Sequence, residues 1–283
     1  MKPYQLGLYE KSMPNTLPVA EKLKETKAAG FDYLELSIDE TPEKLARLNW
    51  TAEELRNLWL SQQAADCSIR SICLSAHRSY PMGHPDPATR AQSQEIMRKA
   101  VDLAASLGIR VIQVAGYDVY YQPSTDETRH YFADGLRQAA DYAAQKGVLL
   151  GFETMETEFM NTVEKAMYWV KQINSPYLQI YPDVGNLTNA AVSYGRSVCD
   201  DVTLGRGHLA AVHLKESKPG VFREVPFGTG HVDFSAVTQT AVQLGVRMFV
   251  GEFWYTGQEN WRQLLRNNSQ FLRSALDTAF LCL

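Results

Sequence analysis

A chain of 283 residues, 45% hydrophobic and 21% charged, with a formal net charge of -4, is large and apolar enough for one substantial core. Its lysines and arginines are scattered rather than gathered into stripes, which argues against a nucleic-acid partner. No apolar stretch is long enough to cross a bilayer and MKPYQLGLYE holds no apolar signal core, so no membrane partner is expected and the expected location is cytoplasmic. Cys67, Cys73, Cys199 and Cys282 show no CxxC spacing, and Cys73 sits in an apolar run as a reduced, packed thiol.

In chain order, a first strand is expected from Gln5 to Tyr9, then a helix from Val19 to Ala29 and a strand through FDYLELS, ending at Ser37. A helix from Ala52 to Ala65 follows, with Thr51 and Glu54 spaced as a capping box. The pattern continues with a strand from Ile69 to Ser75, a helix from Arg90 to Leu107, the strand IRVIQVAG, a helix from Glu127 to Lys146 and the strand VLLGFET. A helix from Val163 to Ile173 and a strand from Leu178 to Asp183 come next, then an irregular stretch from Thr188 to His208 read as a short helix and loop. The last elements are a strand from Ala210 to Lys215, a helix from Phe234 to Leu244, the strand VRMFVGEF and a helix from Trp261 to Ala279. Gly30, Gly108, Gly147 and Gly245 each stand between a helix and a strand, where a left-handed C-cap is needed.

Eight apolar strands alternating with helices indicate parallel strands buried on both faces. The simplest architecture is α/β, a single (β/α)8 TIM barrel filling residues 1–283 as one catalytic domain; a doubly wound open sheet is the alternative. In a barrel the functional face lies where strands end. Four strands there end in metal-ligand types: GFE at Glu153, YPD at Asp183, AVH at His213 and VGE at Glu252. Three carboxylates and one imidazole, with no thiolate, suit one divalent Mn, Mg, Co or Zn ion. Without a cation the converging carboxylates would repel one another. Strand alternation puts Gly151 on the face of Glu153, where a small residue suits a crowded interior.

A family resemblance runs over nearly the whole chain. It is carried by QLGLYEK (Gln5 to Lys11), SIDETPEKLARLNW (Ser37 to Trp50), CLSAHR (Cys73 to Arg78), GIRVIQVAGYDVYYQ (Gly108 to Gln122), YPDVGNL (Tyr181 to Leu187), HLKESKPGVFREVPFGTGHVDF (His213 to Phe234) and GEFW (Gly251 to Trp254). These segments resemble the L-ribulose-5-phosphate 3-epimerases, also called L-xylulose-5-phosphate 3-epimerases, of the xylose-isomerase-like barrel superfamily. The resemblance implies an isomerase that interconverts two pentulose phosphates in ascorbate or other pentulose catabolism, with a small sugar phosphate as partner; it leaves a homodimer open. It also matches the family's metal ligands to Glu153, Asp183, His213 and Glu252, and makes Glu153 and Glu252 the acid and base. Inverting a carbon requires a proton to leave one face and another to return on the opposite face, through a cis-enediolate, so two such groups are needed.

Other residues are expected at substrate. Lys215 shares the parity of His213 and should point into the mouth, to bind a substrate oxygen or to pair with a carboxylate. Asn186 stands where some related epimerases carry a substrate-contacting histidine. His77 ends the third strand, either against sugar hydroxyls or as a structural histidine. Lys218, Arg223 and the Gly228-Thr229-Gly230 turn are candidates for the phosphate, with Lys11 and Arg78 as competitors. Tyr117, Tyr120, Tyr121 and Trp254 could wall the sugar pocket, though rim packing is the simpler reading for at least two. Glu35 is read as paired with a cation ahead of orienting a ligand, and His84, His130, His208 and His231 as structural or surface residues.

Other functions compete, among them a metal-holding sugar-binding protein without turnover. The superfamily's DNA-repair branch holds three metals with more histidines, and Gln113 and Asn186 stand where that branch has histidine ligands. An epimerase or aldose–ketose isomerase acting on another, non-phosphorylated ketose is the alternative within the isomerases.

Overall fold

The computed structural model describes residues 3–283. Eight parallel strands alternate with helices: β1 (Gln5–Tyr9), β2 (Tyr33–Ile38), β3 (Ser68–Leu74), β4 (Val111–Ala115), β5 (Leu149–Glu153), β6 (Leu178–Tyr181), β7 (Val212–Leu214) and β8 (Met248–Gly251). Neighbours in sequence are neighbours in the sheet, and β1 pairs with β8. Between β6 and β7 the ladder shrinks to two bridges, Ile180 with Leu209 and Asp183 with His213. The Ile180 N–H donates to His208 O at 2.8 Å and the His213 N–H to Pro182 O at 2.9 Å. The strands therefore form a nearly closed (β/α)8 barrel rather than an open sheet, and its seam passes between two of the expected ligands.

The helices are α1 (Val19–Ala28), α2 (Pro42–Leu45), α3 (Ala52–Ala65), α4 (Pro87–Leu107), α5 (Asp126–Lys146), α6 (Val163–Ile173), α7 (Val184–Tyr194), α8 (Val198–Thr203), α9 (Phe234–Gln243) and α10 (Trp261–Leu281). The capping box at Thr51 and Glu54 is formed, and all four junction glycines adopt positive φ. Helix α4 starts three residues earlier than expected: Asp86 caps the backbone of Ala88 and Thr89, and Pro87 takes the first helical position, where its missing N–H costs nothing. The larger difference is after β6. The strand stops at Tyr181 and α7 begins at Val184, ahead of the Thr188 to His208 stretch expected as a short helix and loop, which holds the rest of α7 and α8; Asp183 is the N-cap of α7.

Apolar side chains of the strands and helices pack in a continuous layer around the barrel. Its interior is different, filled by Tyr9, Tyr33, Cys73, Tyr181, Ala211 and Val250 together with buried polar groups. Two glycines make room for the rings: a Cβ on Gly7 would strike the Tyr33 ring, and one on Gly151 would sit 3.1 Å from Tyr181 Cβ. The interior thus supports a polar site above it. No helix among the described residues is long and apolar enough to cross a membrane.

Candidate metal centre

Glu153 closes β5, Asp183 caps α7 just past β6, His213 lies within β7 and Glu252 follows β8. Parallel strands deliver their C-terminal ends to one rim, so the four side chains meet there. One ligand atom from each lies within 4.8 Å of the others. All four residues are buried.

Each is held by neighbours. Asp183 Oδ1 accepts from the Asn186 N–H at 2.8 Å, and the Asp183 N–H donates to Thr154 Oγ1 at 2.9 Å. The Gln113 side-chain amide donates to Glu153 Oε2. His213 Nδ1 lies 3.3 Å from Glu153 Oε1 and 3.2 Å from Glu252 Oε2, while its Nε2 lies 2.7 Å from Glu35 Oε1. Lys215 Nζ sits 2.9 Å from Asp183 Oδ2 and 3.8 Å from Glu252 Oε2, and donates to Asn186 Oδ1 at 2.8 Å.

The donor set fits a divalent cation on two grounds. Asp183 Oδ2 and Glu252 Oε2 are buried and meet Lys215 Nζ and His213 Nδ1 as ion pairs without a well-directed hydrogen bond, which leaves both oxygens able to take a cation. The site is also short of positive charge. Burial, reinforced by the charge of Glu252, pushes Glu153 up, and burial drives Asp183 well above the usual carboxylate range despite Lys215. Burial opposes the ionised form of Glu252 as well, but Lys215 and His213 outweigh it and hold that carboxyl low. The protein's own cations thus favour the ionised form of Glu252 over those of Glu153 and Asp183; three oxygens and one imidazole nitrogen at this spacing suit a divalent ion, whose charge would favour ionisation of all three.

Residues 23–275 match the model of the xylose isomerase-like TIM barrel family. L-ribulose-5-phosphate 3-epimerase UlaE of Salmonella paratyphi A is 45% identical over 262 residues, which cover 92% of this chain and 90% of that protein. The chain belongs to this epimerase family. It is an enzyme of the isomerase class. Among solved structures, D-allulose 3-epimerase from Methylomonas sp. superimposes with a TM-score of 0.79 at 20% identity, covering 98% of this chain and 99% of that one. A structure of L-ribulose 3-epimerase gives 0.80 at 18% identity, over 98% and 95%. Both likenesses bear on the fold.

The cleft at Glu153 and Glu252 is also lined by Asn186, Lys215, Arg223, Lys11, Arg78 and Trp254. Asn186 is pinned, its amide donating to Thr154 O at 2.8 Å while its oxygen accepts from Lys215. Arg223 reaches across to Glu156 at 3.3 Å and lies 5.9 Å from the Trp254 ring. Two other expected residues stand apart. His77 is buried against α4 with Nε2 3.2 Å from Ser93 O, and burial lowers its pKa to about 4. Lys218 is exposed on a tight hairpin bridged to Val221. The Gly228-Thr229-Gly230 turn does cradle an anion, but the anion is the buried Glu216 carboxylate, which accepts from the N–H groups of Gly228 at 2.9 Å and Val232 at 3.1 Å. Nothing in the local sequence around Glu216 marks that use. Tyr117, Tyr120 and Tyr121 pack tilted and edge-to-face as a cluster beside the cleft, with Arg78 over Tyr120, and of the four aromatics Trp254 alone lines it. Glu35, read from sequence as paired with a cation ahead of orienting a ligand, meets His213.

Proposed function

We propose that this enzyme is a metal-dependent 3-epimerase that interconverts L-ribulose 5-phosphate and L-xylulose 5-phosphate. The observation that carries the reading is two glutamates converging on one buried donor set in a chain 45% identical to an L-ribulose-5-phosphate 3-epimerase. Glu153, Asp183, His213 and Glu252 would hold the divalent ion, with Mn, Mg, Co and Zn all suited to these donors. Such an ion supplies Lewis-acid stabilisation for negative charge developing on the C2 and C3 oxygens.

The protein's own groups move the protons. One of Glu153 and Glu252 takes the C3 proton, leaving a cis-enediolate, and the other returns a proton to the opposite face. The two exchange roles when the direction reverses. Lys215 and Asn186, fixed on each other within the cleft, offer hydrogen-bonding groups to sugar oxygens. Arg223, with Lys11 and Arg78, places positive charge on the cleft wall for the phosphate. Lys218 needs a movement of its exposed hairpin to join them, and His77 acts from behind β3 on the packing of that wall. Four free cysteines suit a reducing, cytoplasmic setting, and we place the reaction in pentulose catabolism, with ascorbate as the route the family resemblance implies.

Turnover of L-ribulose 5-phosphate and of L-ribulose, measured side by side, tests the substrate. A charge-assisted phosphate contact is worth about 1.5–3 kcal/mol, so kcat/KM for the phosphorylated sugar is expected to be at least roughly tenfold higher. Equal values for both sugars would favour a free ketose instead.

A further inference from the structure

Glu35 lies in β2, outside the donor set, and is a fully buried acid in the barrel interior. Lysine and arginine are absent from its ion-pair partners among the described residues; its one such partner is His213, 178 positions away in the chain. Oε1 lies 2.7 Å from His213 Nε2, while Oε2 accepts from Ser71 Oγ at 2.7 Å and Tyr181 OH at 2.8 Å. The carboxylate is therefore gripped from three sides. Tyr181 also flanks the imidazole, ring centroids 4.7 Å apart, and Gly151 leaves Tyr181 the space to do so.

We propose that Glu35 is a positioning residue that decides which nitrogen of His213 faces the metal centre. An imidazole that ligates a metal is neutral and carries one N–H. With that hydrogen at Nε2 and donated to Glu35, the lone pair is left on Nδ1, the nitrogen that faces Glu153 and Glu252. A carboxylate in this place also fixes the ring's rotation and strengthens the imidazole as a donor. Ser71 and Tyr181 keep the carboxylate from turning away. The inference rests on the metal-centre reading above.

Binding of Mn2+ or Zn2+, measured by competition with a chromogenic chelator, tests it independently of turnover. Glu35→Gln is expected to raise the metal Kd roughly 10- to 100-fold. Glu35→Asp keeps the charge but shortens the reach by one methylene, and the same loosening is expected. Wild-type affinity in Glu35→Asp would mean that distant charge alone matters and would overturn the proposal, as would an unchanged Kd in Glu35→Gln. Should both variants fail to fold, Tyr181→Phe removes one grip on the carboxylate while keeping the ring. A measurable rise in its Kd supports positioning, and none overturns it. A wild-type protein that binds no divalent ion would instead sink the metal-centre reading itself.

Discussion

Glu153→Gln and Glu252→Gln are each expected to lower kcat for epimerisation roughly 10²- to 10⁴-fold, the range that a positioned acid or base contributes. Glutamine keeps the volume of each side chain and one oxygen toward the donor set, so the fold and much of the ion's environment survive. It cannot take up or deliver the proton. The two variants should also fail in different ways: with one base left, the C3 hydrogen of one substrate epimer still exchanges with solvent, but without inversion. Exchange of L-ribulose 5-phosphate by one variant and of L-xylulose 5-phosphate by the other, followed by NMR in D2O, is the expected signature. Near-normal inversion by either variant would rule out two opposed bases. Bound metal must be measured alongside, since each glutamate is also a proposed ligand.

Glu10→Gln is expected to destabilise the fold by about 3–5 kcal/mol, the usual effect of removing one partner from a buried ion pair. Glu10 follows β1 and is fully buried. Its carboxylate lies 2.9 Å from Lys22 Nζ, is bound to Arg47 at 2.6 and 2.8 Å, contacts Lys44 and accepts from the Ser37 N–H at 2.8 Å. Burial works against its charge, but Arg47, Lys22 and Lys44 prevail and hold the carboxyl far below its ordinary range. In return, burial lowers Lys22, and it lowers Lys44 to about 8 even beside Glu10. Without the anion three cations crowd one buried volume that joins β1, β2, α1 and the α2 segment. At about 2–4 °C per kcal/mol for a chain of this size, Tm should fall by roughly 10 °C. A loss under 2 °C in a thermal melt would show that the cations relax into solvent.

What was legible in the sequence was whatever local pattern controls. Apolar runs between amphipathic stretches, stopped by Gly30, Gly108, Gly147 and Gly245, locate all eight strands, and the four candidate ligands stand out because each ends such a run. The start of α7 lies ahead of the stretch read as a short helix and loop although its signal is present, since Asp183 heads VGNLTNAAV as an N-cap would. Asp183, legible as the end of a strand and a candidate metal ligand, also caps that helix. Partnerships across the barrel were out of reach. Glu35 meets Tyr181 and His213 across 146 and 178 positions, and no periodicity reports a contact made by closing a barrel. The same holds for Glu216: the Gly228-Thr229-Gly230 turn does bind an anion, but only the folded chain shows that a carboxylate already fills it.

We propose that this protein inverts C3 of L-ribulose 5-phosphate at the Glu153, Asp183, His213 and Glu252 centre with the help of a divalent ion. An NMR assay in D2O on protein stripped by a chelator, and again after a divalent ion is restored, tests it most directly. L-xylulose 5-phosphate carrying deuterium at C3 should form only after restoration. Undiminished inversion by the stripped protein, or product that retains its original C3 hydrogen, would contradict it.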